Sequence, residues 1–444
     1  MSRILCVCAL ALVAVGSALP AQAQGYRPER PYRGLFASGL NEQGESLTAS
    51  GSIGSGYDDS VLGRNTPQTG PINGRTQGIQ GMSAQYRGSL TYSKEADGLS
   101  FSASGGGGGY YFPTLDNQLV QTAFARATTR AQLATRTSLS GHLSLVLQPY
   151  WLGTFLPGPQ EPEFDIRETA PDLLYSLTTV NYLSYGGGVT MSHDLQKHTS
   201  LSGHYAFRRA ESHSGSGGAF MHQSVGGVLR HQISRGFSAR AGYTYSEADY
   251  SSERTIVNHV INAGINYNKA LSFSRQTTFS FATGTHAVSN DGYTRMTATG
   301  NVRLNHELGR TWQSWAAYVR SVQLDETFQE PVLLSVVGVG LTGLLSRETQ
   351  FTASAHYGDG RIGGFNAGGL GRNYDTLHAS ASLDHAISRY VNVSARYTYY
   401  QYHFHDAVVL PVGASSTLDR NSVRVLLTVW APLYQRGRRG NVTG

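Results

Sequence analysis

The sequence predicts an all-β protein, a transmembrane antiparallel β-barrel of about 18 strands, with 16 as the alternative. Three observations lead there: a repeated two-residue alternation of apolar and polar positions, a composition poor in charge and rich in glycine and tyrosine, and short polar turns at a near-constant interval.

The alternation is plainest over 389–402, RYVNVSARYTYYQY. Val391, Val393, Ala395, Tyr397 and Tyr399 alternate with Asn392, Ser394, Arg396, Thr398 and Tyr400, the period of a strand with one apolar and one polar face. Tyrosines gathered at one end of an apolar face suit a strand that meets lipid, with its aromatics at headgroup level. Charged residues make up 14% of the chain, against about 25% in ordinary soluble domains, while glycine reaches 53 and tyrosine 26. Beyond residue 23 no stretch approaches the roughly 18 unbroken apolar residues of a spanning helix, so strands are the means of crossing.

Taken in order, the chain opens with a signal-peptide pattern over 1–23. Met1-Ser2-Arg3 is a short basic start, Ile4 to Leu19 is apolar, and Ala21-Gln22-Ala23 is a small-x-small cleavage site. Cys6 and Cys8 both fall inside it. A mature chain from Gln24 then has no thiol, which excludes disulfides, iron-sulfur clusters and cysteine nucleophiles. Residues 24–44, with Pro28 and Pro31 among arginines, show no period and are expected to form a periplasmic extension. The barrel is expected over 45–430 and a basic periplasmic tail over 431–444, where Arg436, Arg438 and Arg439 carry part of the net charge of +6. Without interleaved aromatics or a recognition fold, that tail is a solvated end and not a nucleic-acid site.

Leu47, Ala49, Gly51, Ile53, Ser55 and Tyr57 mark one face of a first strand that ends at Asp58-Asp59. The polar loop from Ser60 to Gln77 is long enough for the extracellular side. Hairpins follow: Met82 to Tyr92, the turn Lys94 to Gly98, then Leu99 to Tyr111; Leu119 to Leu133, the turn Thr135-Arg136, then Ser138 to Tyr150. The loop over 151–178 is the longest, acidic and proline-rich (PGPQEPEFD), and is expected to fold over or into the pore. Later turns are placed at Gln196-Lys197-His198, Ser234-Arg235, Ser274-Arg275, Gly309-Arg310, Ser346-Arg347 and Ser388-Arg389. Their spacing, about 35 to 42 residues, holds two strands and two connections. Solenoids and propellers share such periods, but the chain carries no WD, leucine-rich or helical repeat signature. Eight turns give sixteen strands; the first strand and a last one from Ser422 to Trp430 bring the number to about 18, with both ends in the periplasm.

The residues LTASGSIGSGYDDSVLG, Leu47 to Gly63, resemble the opening of the outer-membrane β-barrel porin families of Gram-negative bacteria, where a glycine-tyrosine-aspartate corner follows strand one. Pro31-Tyr32-Arg33-Gly34-Leu35-Phe36 is similar to that group as well, and the repeated small-residue-arginine turn extends the likeness over most of 45–430. The family often has asparagine where this chain has Ser60. The resemblance implies a porin-type barrel, some members of which accompany exopolysaccharide systems, and it brings no catalytic residues.

Read by parity, the lumen holds Arg208, Arg240, Arg295, Arg303, Arg396 and Arg424, with Asp384 among its few acids. Two readings stand side by side: a mildly anion-attracting channel, or arginines that pair with nearby carboxylates and brace the wall. His403, His405 and Asp406 (HFHD) place two imidazoles on one strand face, but a metal site wants third and fourth ligands that the sequence does not name, so these are read as exposed loop residues. The run Gly105 to Gly109 lacks the Lys-Ser/Thr of a phosphate loop and is read as a strand end that excludes bulk. Ser212-His213 is not a dyad by adjacency, and no Gly-x-Ser-x-Gly elbow occurs, so no enzyme is expected. The expectation is a barrel in the cell outer membrane that passes small hydrophilic solutes passively or semi-selectively. The alternative is a plugged barrel for docking or secretion, possibly of exopolysaccharide. Expected partners are outer-membrane lipid, lipopolysaccharide, and small solutes or polysaccharide; no nucleic acid and no cofactor is implied.

Overall fold

The computed structural model describes residues 36–37, 44–63, 79–113, 118–149, 176–177, 181–212, 219–250, 254–271, 274–290, 293–325, 330–362, 372–405 and 417–437. Its strands are β1 (Gly44–Gly63), β2 (Ile79–Ala96), β3 (Leu99–Phe112), β4 (Gln118–Ala134), β5 (Thr137–Pro149), β6 (Ser176–Leu177), β7 (Asn181–Gln196), β8 (Thr199–Ser212), β9 (Phe220–Ser234) and β10 (Phe237–Tyr250), then β11 (Arg254–Leu271), β12 (Ser274–Asn290), β13 (Tyr293–Leu308), β14 (Trp312–Asp325), β15 (Glu330–Leu344), β16 (Thr349–Ile362), β17 (Arg372–Ala386), β18 (Val391–Phe404) and β19 (Thr417–Gly437). Apart from the two-residue β6, each strand pairs antiparallel with its neighbours in sequence, and β1 pairs with β19, so 18 strands form one closed wall. This is the closed antiparallel barrel of about 18 strands that the sequence predicts. Closure leaves no strand edge, which a sheet in lipid requires.

Alternation fixes the two faces. Outward positions carry exposed apolar side chains strand after strand, among them Ile53, Leu90, Leu143, Met191, Leu229, Ile265, Val339, Leu383 and Val425. Such a band around a closed sheet is covered only by hydrocarbon. Outward Tyr57, Tyr86, Tyr205, Tyr243, Tyr357 and Tyr397 add an aromatic girdle. At the rim the hydroxyl of Tyr397 donates to Asn421 Oδ1 at 2.7 Å and that of Tyr399 to Asp419 Oδ1 at 3.3 Å, so the rings lie in the apolar band and their polar tips leave it. The protein is an outer-membrane β-barrel on these grounds.

The connections sort into a turn end, which is periplasmic, and a loop end, which is extracellular. Gly98 and Gly309 have φ of 76° and 68°, where a side chain would be strained. The small residue before arginine has its own reason in two turns. Ser388 Oγ accepts the N–H groups of Tyr390 and Val391 at 3.2 and 3.1 Å, and Ser346 Oγ accepts that of Glu348 at 3.2 Å, so the hydroxyl closes the turn. Above the turns a cross-strand pair recurs on the outer face: threonine Oγ1 to histidine Nδ1 at Thr137–His193, Thr199–His231, Thr277–His306 and Thr349–His385, from 2.8 to 3.0 Å.

Three boundaries differ from the sequence reading. Ser274 opens β12 and pairs with Leu271, so Ser274-Arg275 are strand residues and not the expected turn; residues 272–273 lie outside the described residues. Strand β1 runs on to Gly63. The last strand begins at Thr417 and continues past Trp430 to Gly437, so the first part of the expected tail, including Arg436, pairs with Gly44 to Thr48 across a bulge beside Pro432. The ladder from β18 stops at the bond from Trp430 N–H to the Tyr390 carbonyl, so Pro432 sits where its missing N–H costs no bond on that side. Residues 1–35, with the expected signal peptide, and 438–444 lie outside the described residues.

Candidate functional site: the inner wall

Every lumen residue predicted by parity whose side chain is described lies on the inner face. On β18 and β19 the outward Val391, Val393 and Tyr397 alternate with Arg396, and Val423, Val425, Leu427 and Val429 with Arg424. The same rule puts Arg208 on β8, Arg240 on β10, Arg303 on β13 and Asp384 on β17 inside. Arg295 occupies the same parity as Arg303 on β13; its side chain is outside the described residues.

These groups are not brought together into one ring. Arg208 Nε donates to Ser184 Oγ at 3.2 Å. Arg303 Nε donates to Asn305 Oδ1 at 2.8 Å, and its guanidinium lies 5.8 Å from the ring centre of Trp315. Arg240 answers a fault in the ladder: between β11 and β12 the register jumps, four residues of β11 (262–265) facing two of β12 (283–284), and Arg240 Nη2 donates to the Thr283 carbonyl at 3.1 Å.

The strongest electrostatic feature is one the sequence reading half missed. On the seam between β19 and β1, Arg420 grips Asp58 with two parallel bonds, Nε to Oδ1 at 2.7 Å and Nη2 to Oδ2, and Arg424 Nη2 stands 3.9 Å from the same carboxylate. All three side chains are 4% exposed or less. Gly56 makes the room: a Cβ there would lie 2.8 Å from Arg424 Cγ. On the outer face the next residue, Asp59, accepts both the backbone N–H and the Nδ2 of Asn421 at 2.7 Å. The two aspartates of the glycine-tyrosine-aspartate corner therefore clasp the seam from opposite faces. Arg420 shares the parity of Arg424 and escaped the sequence reading because the strand was started at Ser422.

The inner wall divides by height. In its loop-end part, Phe112, Phe220, Tyr250, Ile256, Ile362, Tyr374, Tyr402 and Phe404 face inward and are 5% exposed or less. They pack on one another, with ring centres 5.2 Å apart for Phe220–Tyr250 and 5.3 Å for Tyr374–Phe404 and Tyr402–Phe404. Just below, His356 and His378 stack at 5.9 Å, with Trp315 5.5 Å from His356. Nearer the turn end the inner wall is polar and open. Arg130 and Arg230 are exposed there, as is Arg87 about midway along β2, and hydroxyl pairs Ser46–Ser93 and Ser50–Ser89, each 2.7 Å apart, join β1 to β2 on the same face. Arg87 and Arg126 flank the Phe124 ring at 5.2 and 5.9 Å. Of the inward acids, Glu95, Asp194, Glu307 and Asp384 stand within three residues of a turn, while Asp58 and Glu330 lie at the loop end, Asp58 engaged by Arg420; the stretch between carries arginine.

The loop expected to fold over the pore shows two described residues. Ser176 and Leu177 (β6) pair in parallel with Leu62 and Gly63 at the tip of β1. Leu177 to Asn181 spans at most ~14 Å of chain, whereas β1 and β7 are five strand steps apart, ~24 Å or more of wall. The tip of β1 and the start of β7 are therefore nearer to each other than their places in the wall imply.

Ser212 ends β8, and His213 lies outside the described residues. Gly105 to Gly109 fall inside β3, where a Cβ on Gly106 or Gly108 would lie 2.3 Å from a carbonyl of β2; the run serves close strand packing.

No family model matches the chain, and no curated protein matches it by sequence. By shape it is similar to OpdL of Pseudomonas aeruginosa (TM-score 0.45, 10% identity, 88% of this chain and 99% of that one). OpdQ of Pseudomonas aeruginosa gives a TM-score of 0.45 at 8% identity over 88% and 98% of the two chains. OccAB4 of Acinetobacter baumannii gives 0.43 at 10% identity over 88% and 100%. With all three below 0.5, what the chain does must be read from its own wall and lumen.

Proposed function

We propose that this outer-membrane barrel is a channel for small hydrophilic solutes, with passive passage biased towards anions. The observation that carries the reading is the exposed guanidinium surface of the inner wall, Arg87, Arg130 and Arg230, while the inward loop-end acid Asp58 is buried against Arg420. Fixed positive charge along a wet path lowers the barrier for anions and raises it for cations. The loop-end collar then sets the size limit. Binding partners in this reading are the surrounding lipid and lipopolysaccharide and the solutes themselves; no catalytic step is involved.

A second reading has its own support, the packed loop-end collar: a barrel closed at the mouth that serves docking or secretion, for instance of polysaccharide. Purified protein in a planar bilayer separates the two. The channel reading expects steady single-channel current and a reversal potential on the anion side under a salt gradient. A cation-side reversal potential would refute the anion bias, and a sealed bilayer would favour the closed barrel.

A further inference from the structure

We propose that the loop-end rim of the outer wall carries a binding site for a divalent transition-metal ion of the zinc type, built from Asp375, His403 and His405. One ligand atom from each of the three lies within 4.8 Å of the other two. Asp375 and His403 are register partners across β17 and β18, and His405 follows two residues later on the same side. The bond from His405 N–H to the Asn373 carbonyl, 2.9 Å, continues the ladder and fixes the backbone that presents the second imidazole. The His403 and His405 rings are 4.2 Å apart, and His405 Nε2 lies 2.5 Å from Asp375 Oδ1. Two imidazoles and one carboxylate are the donor set that zinc accepts, with bonds of ~2.0 to 2.2 Å and a fourth position for water.

A second, independent observation points to a cation. Asp375 also stands directly opposite Asp359 on β16, on the same outward face. Like charges paired across strands oppose sheet formation. Arg361, on that face, stands opposite Asn373, and among the described residues it forms no ion pair with either carboxylate. A bound divalent ion offsets the acid pair and ties β17 to β18 at the rim. With the His405 side chain 47% exposed and that of Asp375 27%, the ion is reached from outside the cell and not through the lumen.

The test uses tag-free, chelator-treated barrel in detergent, titrated with zinc against a competing chromophoric chelator. The proposal expects one zinc per chain. It expects affinity to fall about tenfold or more in Asp375→Asn and in His403→Ala, the loss usual for a missing ligand or its orienting partner. His231→Ala, which removes a histidine far from the site, should titrate as the parent does. Zinc should also raise the unfolding midpoint of the parent and not of the two site variants. Circular dichroism establishes that each variant is a folded barrel. No binding by the parent, or equal affinity in parent and both site variants, overturns the site.

Discussion

The inner wall near the extracellular mouth and the inner wall nearer the periplasm are made by the same strands with the same alternation, yet one is packed and the other is wet. Near the mouth, inward positions of β3, β9, β10, β11, β16, β17 and β18 carry aromatic and branched side chains that cover each other. Lower down, inward positions are serine, threonine and arginine, many of them open to solvent. Alternation decides only which way a side chain points. Height along the strand decides whether that side chain builds a wall or a passage.

Four variants test this division. The largest effect is expected at the seam near the mouth, where Asp58→Ala leaves Arg420 and Arg424 buried without their carboxylate. Stranding a buried charge costs ~3 to 5 kcal/mol, to be read as a lower urea midpoint for the reconstituted barrel; an unchanged midpoint would show that water reaches the pair. Next, Ile256→Ala in the collar should cost ~2 to 4 kcal/mol and raise single-channel conductance, since it removes bulk where the passage is packed. Stability lost without any gain in conductance would move the narrowest point elsewhere. In the lower lumen, the double change Arg130→Glu with Arg230→Glu should lower the anion-to-cation permeability ratio by roughly threefold or more. Stability should shift by no more than ~0.5 kcal/mol, as suits exposed side chains. The smallest effect is expected at Ser50→Ala, which removes one hydroxyl pair in a wet region and should cost ~1 kcal/mol or less. A cost near that of Asp58→Ala would erase the distinction between the two regions.

Much of this was legible in the chain. A two-residue period bounded by small-residue-arginine turns gave the strand number, the closed wall and the inward direction of Arg208, Arg240, Arg303, Arg396, Arg424 and Asp384. The same parity holds for Arg87, Arg126, Arg130, Arg230 and Arg420, but their weight emerges only once strand ends are fixed. Arg420 became visible as a wall residue when β19 proved to begin at Thr417. What parity cannot supply is register between strands. Asp375 is remote in sequence from the HFHD segment, and it meets His403 only because β17 and β18 pair as they do. The third metal ligand was for that reason absent from any local motif. The collar was hidden differently: buried inward tyrosines and lipid-facing tyrosines look alike in a sequence, and Tyr399 and Tyr400 are adjacent.

The joint between β1 and β19 links residues 362 positions apart, as Arg420 does with Asp58. Without β19 the flank of β1 has nothing to pair with, and an open flank in hydrocarbon is costly. Closing the wall therefore brings the first and last strands together, and the buried Arg420–Asp58 link lies on that joint.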